Sequence, residues 1–180
     1  KAIIGRNHST LLFANSRRLC EKLALAINDG EESPIAYVHH GSLSREIRAE
    51  VERKLRGGEL RAVVATNSLE LGIDIGALDE VILIQPPTSI SSAIQRVGRA
   101  GLQVGQVCKG AIFPVSPHYL IEAAALAPVI RCHRRGEQGD GRFADAARGA
   151  AGSDQSYWVG VLSPQNWKRG SSWNDAFRSP

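Results

Sequence analysis

The chain has 180 residues, of which 43% are hydrophobic and 22% charged, and its formal net charge at pH 7 is +4. This composition is ordinary for a soluble globular protein, and the lack of an apolar run long enough to cross a bilayer excludes a membrane-spanning helix. The sequence begins at Lys1 and contains no methionine, so we expect a piece of a longer protein.

The three cysteines, Cys20, Cys108 and Cys132, are scattered and form no CxxC pair. Neither a disulfide framework nor a zinc site is indicated by this spacing. Unpaired cysteines are typical of a reducing compartment, so we predict a cytoplasmic protein.

The first predicted unit is a strand followed by a helix. Thr10–Ala14 is a short apolar run with polar neighbours, which indicates a buried parallel strand. Asn15 and Ser16 are suitable helix caps, and a helix is predicted from Arg17 to the Asp29-Gly30 stop. Its apolar stripe consists of Leu19, Leu23 and Ile27.

The second unit repeats this pattern. Ile35–Val38 is a predicted strand that leads into two histidines, a glycine and a serine. Ser42 or Ser44 is expected to cap the next helix, which ends at Gly57-Gly58. The apolar stripe of that helix consists of Ile47, Val51 and Leu55. The paired histidines lack further ligands at a metal-binding spacing, which favours a role in the loop over a metal site.

Later segments continue the alternation of strands and helices. The predicted strands are Leu60–Ala65, Val81–Ile84 and Gln106–Val115, and an Ala-rich helix is predicted over Tyr119–Val129. Alternating strands and helices predict a parallel α/β sheet with helices on both faces. In such sheets ligands bind at the loops that follow the strands. Here those loops are rich in hydroxyl groups, amides and glycine, which suit phosphates.

The segment QRVGRAG contains two arginines, Arg96 and Arg99, three residues apart. A helix capped by Thr88 or Ser89 would place both on one face, about one turn apart. A guanidinium is a permanently charged, planar fork that matches phosphate oxygens. The pair is therefore a candidate phosphate-binding site.

Four segments occur in the order and spacing found in one known family. They read TLLFANSRR, AYVHHGSLSREIRAEVE, VVATNSLELGIDIG and QRVGRAG. Together they resemble the second RecA-like lobe of superfamily 2 helicases, and most closely that of the large helicase-related (Lhr) ATP-dependent DNA helicases. The resemblance runs from Ser9 to Ile130.

The resemblance implies two sets of site residues. Arg96 and Arg99 would be the catalytic arginine fingers. The residues implied to bind ATP are Gly72, Asp74, Gln95, Arg96 and Arg99. The residues implied to contact the backbone of a single nucleic-acid strand are Asn15, Ser16, Arg17, His40, Gly41, Ser42, Thr66, Asn67 and Ser68.

The sequence contains no P-loop and no DExH segment, both of which lie in the first lobe of such helicases. The resemblance therefore implies an N-terminal RecA-like lobe as partner, with ATP as substrate and Mg²⁺ held by that lobe. We expect the isolated chain to be inactive in ATP hydrolysis, and the family suggests a function in DNA repair. Leu102 departs from the family pattern, which has a basic residue at this position.

Two other classes of function are considered. One is a non-catalytic nucleic-acid-binding module derived from such a lobe, which an upstream P-loop lobe in the same polypeptide would exclude. The other is a dinucleotide-binding α/β domain, which is disfavoured because Gly98, Gly101 and Gly105 do not form G-x-G-x-x-G after a strand.

The predicted domain organisation has two parts. Residues 1–130 form the RecA-like lobe, and residues 131–180 form an irregular tail that is disordered or unrelated to the family. The tail is rich in Gly, Ser, Arg and Ala, poor in Leu and Ile, and contains all three tryptophans. The alternative is an accessory segment whose Trp and Arg side chains stack on nucleic-acid bases.

Overall fold

The structure is a computed structural model that describes residues 1–70, 75–100, 107–132 and 156–161. The helices are α1 (Ala2–Arg6), α2 (Arg17–Asn28), α3 (Arg45–Arg56), α4 (Ile90–Val97) and α5 (Pro117–Cys132). The strands are β1 (Thr10–Ala14), β2 (Ala36–His39), β3 (Ala62–Ala65), β4 (Glu80–Ile84), β5 (Val107–Phe113) and β6 (Ser156–Val161). A short 3₁₀ turn covers Asn67–Leu69.

The strands form one six-stranded sheet in the order β2-β3-β1-β4-β5-β6. Every neighbouring pair is parallel, which confirms the predicted RecA-like α/β architecture. Strand β1 lies between β3 and β4, and all five of its residues are buried. A strand covered on both faces needs a continuous apolar run, and TLLFA supplies one.

Helices cover both faces of the sheet. On one face Val51 and Leu55 of α3 and Ile94 of α4 pack in the same core as Leu11 and Phe13 of β1. On the other face residues of α1 and α2 pack against the alternate β1 positions. The alternation of side chains along β1 therefore divides the core into two layers.

Helix α2 has the predicted caps. The Ser16 hydroxyl accepts a hydrogen bond from Leu19 N at 3.2 Å, and the helix ends at Asn28. The Asn28 side chain then accepts bonds from the Ile35 and Ala36 amides, each at 2.9 Å, and donates to the Ala36 carbonyl. One side chain thus joins the end of α2 to the beginning of β2.

Several predicted details differ from the structure. Ile47 was expected in the apolar stripe of α3 but is 51% exposed, because the buried face of α3 begins only at Val51. Helix α4 ends at Val97, so Arg99 lies beyond it rather than on the same helix face as Arg96. Helix α5 is longer than predicted and includes Pro128.

In the described part of the tail, β6 pairs with β5 in parallel over six residues, from Val107↔Ser156 to Ile112↔Val161. This strand differs from the irregular conformation predicted for residues 131–180, and residues 133–155 and 162–180 lie outside the described residues. The domain boundary at residue 130 stays a prediction. Among the described helices, none has the length and apolar character needed to cross a membrane.

Candidate nucleotide and nucleic-acid site

The predicted site residues that the structure describes lie on the loops and helices that follow the strands, at the carboxyl edge of the sheet. Because the strands are parallel and in register, Phe13 and His39 both lie beside Ala65, and Ala14 lies beside Ile84. The loops after β1, β2, β3 and β4 consequently begin at the same level. This edge is where ligands bind in open parallel sheets.

Arg96 is held inside the lobe. Its side chain is 9% exposed, and its Nε donates to Glu70 Oε2 at 3.2 Å while Nη1 donates to Asn15 Oδ1 at 3.2 Å. The guanidinium carbon also lies 5.2 Å from the centre of the Phe13 ring. A buried charge needs a partner and hydrogen bonds, and here a carboxylate, an amide and an aromatic face supply them.

Arg99 is less buried than Arg96, and it bonds to the backbone of Glu70 instead of its side chain. Gly98 ends α4, and the chain turns so that Arg99 Nη2 donates to the backbone carbonyl of Glu70 at 2.9 Å. The two arginines therefore both bond to Glu70, whereas the prediction placed them on one helix face. Arg99 is partly exposed where Arg96 is buried.

Asn15 connects two of the loops. Besides accepting from Arg96, its Nδ2 donates to the Pro86 carbonyl at 3.1 Å, which ties the end of β1 to the loop after β4. The residue itself is exposed. Next along the chain, Ser16 caps α2, and Arg17 Nη1 donates to Ser42 Oγ in the loop after β2. Arg17, Gly41 and Ser42 are all exposed at this edge.

The paired histidines are both buried, at 1% exposure for His39 and 2% for His40. His39 Nε2 lies 2.9 Å from Glu52 Oε1 of α3, and its Nδ1 lies 2.8 Å from Ser68 Oγ. Burial lowers the pKa of His39 below its ordinary value, and the nearby Glu52 carboxylate opposes that shift. His40 Nε2 lies 3.3 Å from Glu21 Oε1 without hydrogen-bond geometry.

The turn after β3 contains the next three predicted contacts. Thr66 N donates to the His39 carbonyl at 3.2 Å, and Ser68 Oγ lies 2.9 Å from that same oxygen. Asn67 is exposed, and its carbonyl accepts from Glu70 N at 3.1 Å. The turn is thereby linked to β2 at one end and leads to Glu70 at the other.

Three residues named from the sequence have no described placement, namely Gly72, Asp74 and Leu102. Gln95 lies on α4 and is partly exposed. Within the described residues, no group of three or more His, Cys, Asp or Glu could hold a metal ion.

Glu70 and His39 are central to this edge, yet neither was singled out as a site residue. Glu70 accepts bonds from both arginines across 26 and 29 positions of sequence. One signal for it existed, since a carboxylate in a segment otherwise suited to phosphates is a candidate partner for the nearby cations. His39 was noted only as one of a pair, and its contacts depend on the strand order.

Comparison with known proteins gives a consistent result. The helicase conserved C-terminal domain family matches residues 1–102. The chain is 43% identical over 145 residues to the "Lhr helicase/ probable uracil glycosylase" of Mycolicibacterium smegmatis, covering 62% of this chain and 10% of that protein. It is 44% identical over 130 residues to the "ATP-dependent helicase Lhr-Core" of Sulfolobus acidocaldarius, and this match covers 69% of this chain and 15% of that protein.

Solved structures show the same similarity. The Mycobacterium smegmatis helicase Lhr bound to ssDNA and AMP-PNP superposes with a TM-score of 0.65 at 35% identity, covering 85% of this chain and 23% of that one. A DEAD box protein from Methanococcus jannaschii, at 21% identity and a TM-score of 0.62, shares the fold. The match covers 90% of this chain and 37% of that one. The chain thus spans only a small part, 10% to 15%, of the curated relatives named above.

Proposed function

The chain belongs to the helicase conserved C-terminal domain family, and on that premise we propose that it is the second motor lobe of an ATP-dependent DNA helicase. The observation that carries this proposal is the convergence of Arg96 and Arg99 on Glu70 at the edge where the strand-end loops meet. A motor lobe needs a cation that contacts the nucleotide and small polar groups that contact the nucleic-acid strand, both on one rigid body. The carboxyl edge of this sheet has the arginines and the polar loop residues that such contacts require.

We assign the two arginines different tasks. Arg99 is partly exposed at the carboxyl edge of the sheet, and a hydrogen bond to the Glu70 carbonyl fixes its direction, which suits a finger that stabilises charge on the γ-phosphate. Arg96 is enclosed by Glu70, Asn15 and Phe13, so its charge is compensated inside the lobe. Its proposed task is to fix the segment that carries Arg99.

ATP is the proposed nucleotide, since relatives of this chain are named ATP-dependent helicases. Arg99 and Gln95 would face it from this chain, and Gly72 and Asp74 remain further candidates. The described residues offer no cluster for Mg²⁺, so we assign the metal and the phosphate-binding loop to an N-terminal RecA-like lobe. That lobe is the proposed protein partner.

The strand-end loops are the proposed contact with single-stranded DNA. Arg17, Gly41, Ser42 and Asn67 are exposed at the carboxyl edge and present one cation, a hydroxyl, an amide and open backbone. Such groups contact phosphates without reading the bases, which suits a motor that moves along any sequence. The choice of DNA is supported by the related helicase that was solved with ssDNA, and a repair function follows from the family resemblance.

The test is Arg99→Ala in the full-length protein. Loss of a transition-state cation should lower kcat for ATP hydrolysis by about 10³-fold or more, with binding of a single-stranded oligonucleotide unchanged. Arg61→Ala is the matched control, because Arg61 is exposed at the opposite edge of the sheet and should leave both quantities unchanged.

Two outcomes would contradict the proposal. Unchanged ATP turnover in Arg99→Ala would remove the finger role, and a full-length protein that binds DNA but never hydrolyses ATP would be a non-catalytic binding module. Phosphate release by the isolated chain would contradict the expectation that it is inactive alone.

A further inference from the structure

His39 lies where three elements of the lobe meet. It is the last residue of β2, its Nε2 faces Glu52 of α3, and its Nδ1 faces Ser68 in the turn after β3. The side chain is 1% exposed, whereas that of Glu52 is 24% exposed.

The ring of His39 is held at both of its nitrogens. Its Nε2 lies 2.9 Å from Glu52 Oε1, and its Nδ1 lies 2.8 Å from Ser68 Oγ. The Ser68 hydroxyl donates its single proton to the His39 carbonyl at 2.9 Å, so the ring and the main chain of His39 both contact this one side chain. Burial lowers the pKa of His39, and the Glu52 carboxylate opposes that shift.

The backbone of His39 reinforces this connection. Its carbonyl oxygen accepts from Thr66 N at 3.2 Å and lies 2.9 Å from Ser68 Oγ. The beginning of the turn is thus attached to the main chain of His39, and the end of the turn to its ring. Both atoms that Ser68 Oγ approaches belong to one residue, so the hydroxyl is engaged within the protein.

We propose that His39 is a positioning residue for nucleic-acid binding, which holds the turn of Thr66, Asn67 and Ser68 in place through the Ser68 hydroxyl. In this arrangement Ser68 does not contact the strand, and the exposed face of the turn, with Asn67, does. The inference rests on the proposed function, because it says which residue holds one part of the proposed DNA-binding surface in place. It also reassigns Ser68 from a direct contact to an internal one.

The experiment is a double-mutant cycle in the full-length protein, with affinity for an oligo(dT) strand as the readout. Ser68→Ala and His39→Gln should each weaken binding about tenfold, and the double variant should be no weaker than Ser68→Ala, because the ring contact that His39→Gln removes is already lost with the hydroxyl. His39→Asn should bind within about threefold of the parent, since the Asn side chain can place an amide group near the Nδ1 position.

A second readout needs only Ser68→Ala and no nucleic acid. If the hydroxyl holds the turn, hydrogen exchange at the Thr66 amide should accelerate about tenfold in the free protein. A hydroxyl that only contacts DNA would leave this exchange unchanged. This measurement decides the matter even if His39→Gln fails to fold.

Additive losses in the cycle, His39→Asn as weak as His39→Gln, or unchanged Thr66 exchange in Ser68→Ala would each overturn the proposal. A parent protein that does not bind oligo(dT) would instead count against the proposed function. The two failures are therefore distinguishable.

Discussion

The two edges of the sheet are both rich in charged and polar residues, but they use them differently. At the amino edge, Glu80 is 2% exposed and accepts from Arg6 at 3.2 Å and Asn7 at 3.0 Å. Asp79 there accepts from the His8 and Ser9 amides at 2.6 and 3.0 Å. These bonds attach the segment before β1 to the beginning of β4.

The carboxyl edge keeps an inner layer and an outer layer. Arg96 and His39 are buried and bonded within the lobe, while Arg99, Asn67 and Ser42 remain partly or fully exposed. The amino edge has exposed members too, namely Arg6 and Asp79, but the bonds described above join them to Glu80 and to the chain before β1, so they hold the fold. We therefore expect changes at the amino edge to affect stability alone, and changes at the carboxyl edge to affect function as well.

The largest effect on stability is expected from Arg96→Ala. It leaves Glu70, whose side chain is 13% exposed, without its charged partner, so the free energy of unfolding should fall by about 3–5 kcal/mol. ATP turnover should fall too, because Arg99 loses its support. Urea unfolding and ATPase assays measure the two effects.

Arg96→Lys serves as the control for Arg96→Ala. It keeps the charge but cannot bond Glu70 and Asn15 with one planar fork, so an intermediate loss is expected. A variant Arg96→Ala with unchanged stability would show that the buried ion pair is not what holds this edge together.

Gly76→Ala should destabilise the fold without changing function. Gly76 has φ +74°, and a Cβ there would lie 2.9 Å from the Arg56 carbonyl oxygen. The strain and the clash should cost about 1–3 kcal/mol, seen as a lower urea midpoint. Gly30→Ala is a matched control, since φ is +77° but nothing lies within 4 Å of the added Cβ. Equal losses in the two variants would remove the clash as a cause.

The smallest effect is expected at Glu80, and its sign is informative. Burial raises the pKa of Glu80 above its ordinary value of 4.5, against the opposing effect of Asn7 and Arg6. The folded state therefore holds this proton more tightly than the unfolded state, and the charged carboxylate costs stability above the folded pKa. That cost disappears as the pH falls below 4.5.

Glu80→Gln should consequently melt at or above the parent temperature at pH 7, and the difference should shrink as the pH is lowered towards 4.5. Thermal melts of both proteins across that range test this. DNA binding and ATP turnover should match those of the parent. A variant much less stable than the parent at pH 7 would mean that the pair with Arg6 outweighs desolvation.

Much of this architecture could be predicted from local sequence patterns. Thr10–Ala14 has the bounds predicted from its apolar run, and Ser16 and Ser89 cap their helices as expected. These features depend on neighbours within a few residues. The parallel sheet followed from the alternation of such units, which is why the loops of the candidate site could be placed at one edge.

The internal partners of the site could not be predicted in this way. Glu70 follows β3 and Arg96 lies on α4 after β4, so their contact depends on the strand order, in which β1 lies between β3 and β4. Local sequence patterns do not predict that order. Gly98 caps the end of α4, so Arg99 is not on the helix that carries Arg96. The two arginines are related by their common contact with Glu70 and not by a common helix face. Ile47 had the spacing of a core residue, but its side chain is 51% exposed, and burial along α3 begins with Val51 and Leu55.

The central position of β1 also has a consequence for synthesis on the ribosome. β1 is the first strand of the chain, yet its neighbours β3 and β4 begin only at Ala62 and Glu80. The apolar strand TLLFA therefore has no partner until about fifty further residues, through Ala65, have been made and released from the exit tunnel, and its second partner needs about seventy, through Ile84. At typical rates of about 5–20 residues per second this interval lasts several seconds, during which the segment is open to chaperones and to aggregation.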